Sequence, residues 1–127
     1  MDKHQIEQIE LGIAGGVDVT IYARREFSGE QMREIRWGLE NAVDVSIYAK
    51  PEFNWHQMYQ ISCGLKEGLD VRVYAKLELD DEQMEQIREG LKSGLDVSIY
   101  AKPYITGWEM SRVLKRLLEE KKWTNNK

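Results

Sequence analysis

At 127 residues the chain has the size of one domain, and its 42% hydrophobic and 31% charged content is that of an ordinary globular protein. A net charge of −4 and a pI near 5.3 argue against a nonspecific nucleic-acid binder, which is normally basic. No apolar run approaches the ~20 residues of a membrane span, Met1-Asp2-Lys3-His4 lacks a signal-peptide layout, and the lone Cys63 excludes an internal disulfide framework. A soluble cytoplasmic protein is expected.

Along the chain, Gln5, Gln31, Gln57, Gln83 and Glu109 recur every 26 residues. The same spacing carries Gly12, Gly38, Gly64 and Gly90, then Asp18, Asp44, Asp70 and Asp96, then Tyr22, Tyr48, Tyr74 and Tyr100. A fixed period in this range is the signature of a solenoid, whose units bury their apolar faces against their neighbours. The expected units run over about 2–27, 28–53, 54–79 and 80–105, with a capping helix over 106–123 and a frayed tail at 124–127.

Each unit opens on a capping box, in which an N-cap side chain accepts from the N3 amide and the N3 side chain reaches back. The pairs are Asp2/Gln5, Ser28/Gln31, Asn54/Gln57, Asp80/Gln83 and Thr106/Glu109. Phe27/Met32, Phe53/Met58, Leu79/Met84 and Ile105/Met110 sit where a hydrophobic staple would fix the entry of the chain. Met58, Ile61 and Leu65 then mark one helical face. Gly64, beside it, costs helix propensity and is expected to admit a neighbouring backbone. Gly16, Gly68 and Gly94 end their helices as C′ glycines; the second unit has the weaker stop Asn41-Ala42.

The segment that follows, Asp44-Val45-Ser46-Ile47-Tyr48-Ala49-Lys50, fits two structures. As a strand its apolar residues alternate; as a short helix Asp44 is the N-cap and Val45, Tyr48 and Ala49 share a face. Stacked parallel strands would set the Asp column about 4.8 Å apart, costing about 3.5 kcal/mol per pair at an effective dielectric of 20. At a helix spacing near 10 Å the cost is about 1.7 kcal/mol. The expected fold is therefore all-α, a solenoid of four helical-hairpin repeats plus a C-terminal capping helix. The alternative is an α/β solenoid, a horseshoe like those of leucine-rich repeats.

In the fifth unit Met110, Val113 and Leu117 persist, but Arg116 replaces the glycine and Glu119-Glu120-Lys121-Lys122 replaces the Asp-to-Tyr segment. A helix with a polar outer face is what a solenoid end requires.

Gln31-Met32-Arg33-Glu34-Ile35-Arg36 and Gly94-Leu95-Asp96-Val97-Ser98-Ile99-Tyr100-Ala101-Lys102-Pro103 resemble a short repeat of proteins from phages and conjugative elements of gut Firmicutes. The resemblance spans Gln5 to about Trp123 and implies an all-helical solenoid. It carries no activity and no site residues.

The columns of identical residues are explained by structure: the Asp column as N-caps, the Tyr column as buried rings with bonded hydroxyls. The columns that vary are the functional candidates. On a helical wheel Arg33, Trp37 and Glu40 point away from the core face. The outward row runs Leu11, Trp37, Cys63, Glu89, Lys115 beside Glu7, Arg33, Tyr59, Glu85, Ser111. Trp, Tyr and Arg are favoured interface anchors, so Leu11, Arg33, Trp37, Tyr59 and Cys63 form an expected partner-binding patch. Trp55, His56 and Trp108, in the loops ahead of their helices, form a second.

The implied function is a protein-interaction module or adaptor. The alternative is a nucleic-acid-binding repeat protein that uses Arg24, Lys50, Lys76 and Lys102 along a phosphate backbone. No enzyme, cofactor, metal, membrane or small-molecule role is expected. His4 and His56 have no metal-ligand spacing to each other or to Cys63, and the chain has no glycine-rich phosphate loop.

Overall fold

The computed structural model describes residues 1–125 and is all-helical, with no strand among them. Five α-helices, α1 Lys3–Ala14, α2 Gly29–Glu40, α3 Trp55–Lys66, α4 Asp81–Lys92 and α5 Gly107–Asn125, pack each against the next. A single turn of 3₁₀ helix follows each of the first four, at Val19–Ile21, Val45–Ile47, Val71–Val73 and Val97–Ile99. The strand reading of the Asp-to-Tyr segment is thus set aside. The helical one is shortened to three residues, with the Asp as N-cap in every copy. Helix α5 runs on to Asn125, so 124 and 125 of the expected tail are helical, and 126–127 lie outside the described residues.

All five capping boxes form. In each of the first four, the glutamine does more than cap. Gln31 Nε2 donates to the Phe53 carbonyl at 2.7 Å and to that of Pro51 at 3.1 Å. Gln5, Gln57 and Gln83 likewise donate to the carbonyls of Phe27, Leu79 and Ile105. Each helix start is therefore tied to the loop that feeds the next helix. An amide is needed for this, because one end must accept and the other donate.

The glycine column has a different cause from the expected one. A β-carbon at Gly64 would meet Val71 Cγ1 at 2.7 Å and overlap the Tyr74 hydroxyl. What approaches is a side chain of the same unit's 3₁₀ turn, rather than a neighbouring backbone. Gly12, Gly38 and Gly90 have the same relation to Tyr22, Tyr48 and Tyr100. All four rings are fully buried, and their hydroxyls donate to the carbonyls of Gln8, Glu34, Gln60 and Gln86. With Phe27, Phe53, Leu79 and the helix residues Met32, Ile35, Met58, Ile61, Met84, Ile87 and Met110 they make one continuous core. Each fully buried apolar side chain there contributes about 1.5–3 kcal/mol.

Helices α1 to α4 end in a Schellman motif. The amide of Leu69 donates to Gly64 and that of Gly68 to Leu65, with Gly68 at φ +74°. In the second unit Ala42 takes this left-handed place at φ +56°.

Candidate functional site

The helix geometry that buries Met32, Ile35, Met58 and Ile61 turns Arg33, Trp37, Tyr59 and Cys63 outward. Between α2 and α3 these four, with Glu34 and Ser62, line a cleft of about 140 Å³. Larger hollows lie along α5, but they are lined almost wholly by that one helix. Trp37 is 36% exposed and Tyr59 48%, so two aromatic side chains frame an open concavity. Leu11 is 42% exposed on α1, outside the cleft.

Trp55 and Trp108 occupy the first turns of α3 and α5, rather than loops ahead of them. Trp55 adjoins the cleft, because the Arg33 guanidinium lies 5.0 Å over its ring; His56 also stacks on Trp55, at 3.7 Å between centroids. Trp108, 69% exposed, pairs with Arg112 of its own helix and stands apart from the cleft lining.

Sequence reasoning missed Glu34 and Ser62. Glu34 is only 7% exposed, and burial raises its carboxyl above the ordinary range against the opposing pull of the Arg33 guanidinium. Its bond from Arg33 Nη2 is 3.3 Å, longer than the 2.7–2.9 Å usual for such charged pairs. The equivalent positions one unit to either side are Gln8 and Gln60, and both are engaged. Arg36 Nε donates to Gln8 Oε1, and Arg88 Nε to Gln60 Oε1, each at 2.9 Å. Arg36 and Arg88 are further anchored by Glu40 and Glu67. Between α2 and α3 the place of that arginine falls to Ser62, whose hydroxyl turns back to the Tyr59 carbonyl. The signal lay in two columns, Gln8/Glu34/Gln60/Gln86 and Arg36/Ser62/Arg88/Leu114, which both depart at the α2/α3 junction, the second departing again at Leu114 between α4 and α5.

Burial pushes the Cys63 thiol up, and a hydrogen bond with Tyr59 only partly offsets this. The same contact raises the Tyr59 phenol. A thiol held protonated is a poor nucleophile. Among the described residues no group of three or more His, Cys, Asp or Glu is placed to hold a metal. None of the helices there is long and apolar enough to cross a membrane. Lys50, Lys76 and Arg24 are exposed, the last within 3.9 Å of Glu26, and Lys102 is half-buried. Comparison with protein-family models, with curated proteins and with solved structures finds no match.

Proposed function

We propose that the chain is an α-solenoid of four 26-residue hairpin repeats closed by α5, and that it works as a protein-interaction module. The proposed contact face comprises Leu11, Arg33, Trp37, Tyr59, Cys63 and Trp55. The observation that carries this reading is the α2/α3 cleft, an open concavity framed by Trp37 and Tyr59 at positions where the repeat imposes no side chain. Exposed Trp, Tyr and Arg around a concave centre are the chemistry of binding anchors. No reaction is assigned to the surface. The narrower role of an adaptor encoded by a mobile element and acting on a host protein rests on the sequence resemblance alone.

The test is a pull-down with the tagged chain from bacterial lysate, split into nuclease-treated and untreated halves. A protein retained after nuclease and lost with Trp37→Ala is the expected result. Nucleic acid in the untreated half, with nothing left after treatment, would transfer the function to the Arg24/Lys50/Lys76/Lys102 row. Binding there would fall steeply with salt and vanish in the Lys50→Glu, Lys76→Glu double variant.

A further inference from the structure

Two of the four helix junctions carry an arginine on the glutamine column, whereas the α2/α3 and α4/α5 junctions have Ser62 and Leu114 in its place, and of these two only α2/α3 sets a carboxylate opposite. Between α1 and α2 a guanidinium from Arg36 meets Gln8, and between α3 and α4 one from Arg88 meets Gln60. Between α2 and α3 the acceptor is a carboxylate, Glu34, and the arginine position holds Ser62. The acceptor has gained charge where the donor has been removed.

A carboxylate offers about four acceptor sites. No buried side-chain oxygen or nitrogen among the described residues is left without a partner, so an incoming donor would add to the pairing of Glu34 and not rescue an orphaned atom. Arg33 supplies one long bond while leaning on the Trp55 ring. The cleft's 140 Å³ is several times what a single water needs. Its walls include the rings of Trp37 and Tyr59, whose faces attract cations. The cationic group acting on the carboxylate is Arg33, and the chain's net charge is −4.

We propose that the α2/α3 cleft receives an arginine side chain of a protein partner, its guanidinium pairing with Glu34 and lying against the Trp37 and Tyr59 rings. This rests on the interaction-module reading and names the chemistry its partner must present. Arginine is specified over lysine on two grounds. The flanking junctions seat a guanidinium at the equivalent place, and its planar fork both matches a carboxylate and stacks on aromatic faces.

The probe is capped arginine amide, titrated into the full chain and followed by NMR at the Trp37 indole and the amides of Tyr59 and Cys63. Saturating shifts are expected, with capped citrulline amide and capped lysine amide binding about tenfold more weakly, the size of one charge-assisted hydrogen bond. Glu34→Gln, which installs the residue found at positions 8 and 60, should erase the preference for arginine over citrulline. Ser62→Arg should abolish binding by filling the cleft from within. Absence of saturation, equal binding of citrulline, or an unaltered preference in Glu34→Gln overturns the proposal even if Ser62→Arg does not fold. A captured partner lost with Trp37→Ala but kept by Glu34→Gln would also overturn it while leaving the interaction module intact. A partner kept by Trp37→Ala would overturn the module itself.

Discussion

The Tyr48 hydroxyl donates to the Glu34 carbonyl at 2.8 Å from a position that a β-carbon on Gly38 would overlap. The 3₁₀ turn is thereby pinned to its own helix, and the glycine exists to admit a phenol. Gly38→Ala should consequently destabilise although alanine favours helix by about 1 kcal/mol. Displacing a fully buried ring that has a bonded hydroxyl costs more than that gain, and overpacking typically costs 1–3 kcal/mol. Urea denaturation of Gly38→Ala, Tyr48→Phe and the double variant would show coupling. Alanine should cost less once the hydroxyl is gone.

The four buried tyrosines give the fold an alkaline limit. Burial raises Tyr22, Tyr48, Tyr74 and Tyr100 above the ordinary value of 10.0, Tyr100 to about 12. A phenol whose folded pKa is raised stabilises the fold fully below its unfolded pKa. That contribution drains away as pH climbs through the folded value. Stability should hold steady to about pH 9 and decline from about pH 10 upward. Tyrosinate absorbance and circular dichroism followed together would check this. Ionisation of the buried rings should coincide with loss of helix signal.

Much of this was legible because the period isolates local chemistry. Ser28/Gln31 and Asn54/Gln57 announce helix starts from side chains that bond within four residues, and Gly68 announces a stop from backbone freedom alone. The Asp-to-Tyr segment was harder, since Val45, Ile47 and Tyr48 suit a strand as well as a turn of helix. The role of Gly64 was misjudged because its partner, Tyr74, lies ten residues on, and the fold must be known before the two meet. Glu34 and Ser62 were invisible for a stronger reason. Their relation spans 28 residues across a helix–helix junction, and each looks like an ordinary polar substitution until its column is paired with the other.

The left-handed position after α2 is strained. Ala42 adopts φ +56° where the other units place Gly16, Gly68 and Gly94. A β-carbon in this region costs about 1 kcal/mol. Ala42→Gly should raise stability by about that amount and Gly68→Ala should lower it comparably, both read from urea midpoints at unchanged slope.

Glu34 carries a penalty that depends on pH. Its folded pKa lies above the ordinary 4.5 because burial disfavours the carboxylate. The wild-type chain therefore loses stability as pH rises from the unfolded value through the raised folded one. Glu34→Gln has no proton to lose and should be the more stable chain at neutral pH, by on the order of 1 kcal/mol. The long contact with Arg33 is too weak to reverse this. Denaturation at pH 7 and at pH 4 would decide it: the advantage of the variant should shrink in acid, where Glu34 is neutral.

The capping glutamines offer the sharpest test of how the units are joined. Gln57 accepts from the Asn54 amide at 2.9 Å and donates to the Leu79 carbonyl at 2.8 Å, so both ends of its amide are used. A glutamate can make the first bond but has no hydrogen for the second, and it would set a charge against a buried carbonyl oxygen. Gln57→Glu should cost about 1–3 kcal/mol, the range for a buried acceptor stripped of its donor. Glu109 makes only the capping half of the pattern, accepting from the Thr106 amide at an exposed site. Glu109→Gln should leave stability within about 0.5 kcal/mol of wild type. Thermal and urea unfolding of the two variants would separate the roles. Equal effects would mean that the glutamine column caps helices and does not join them.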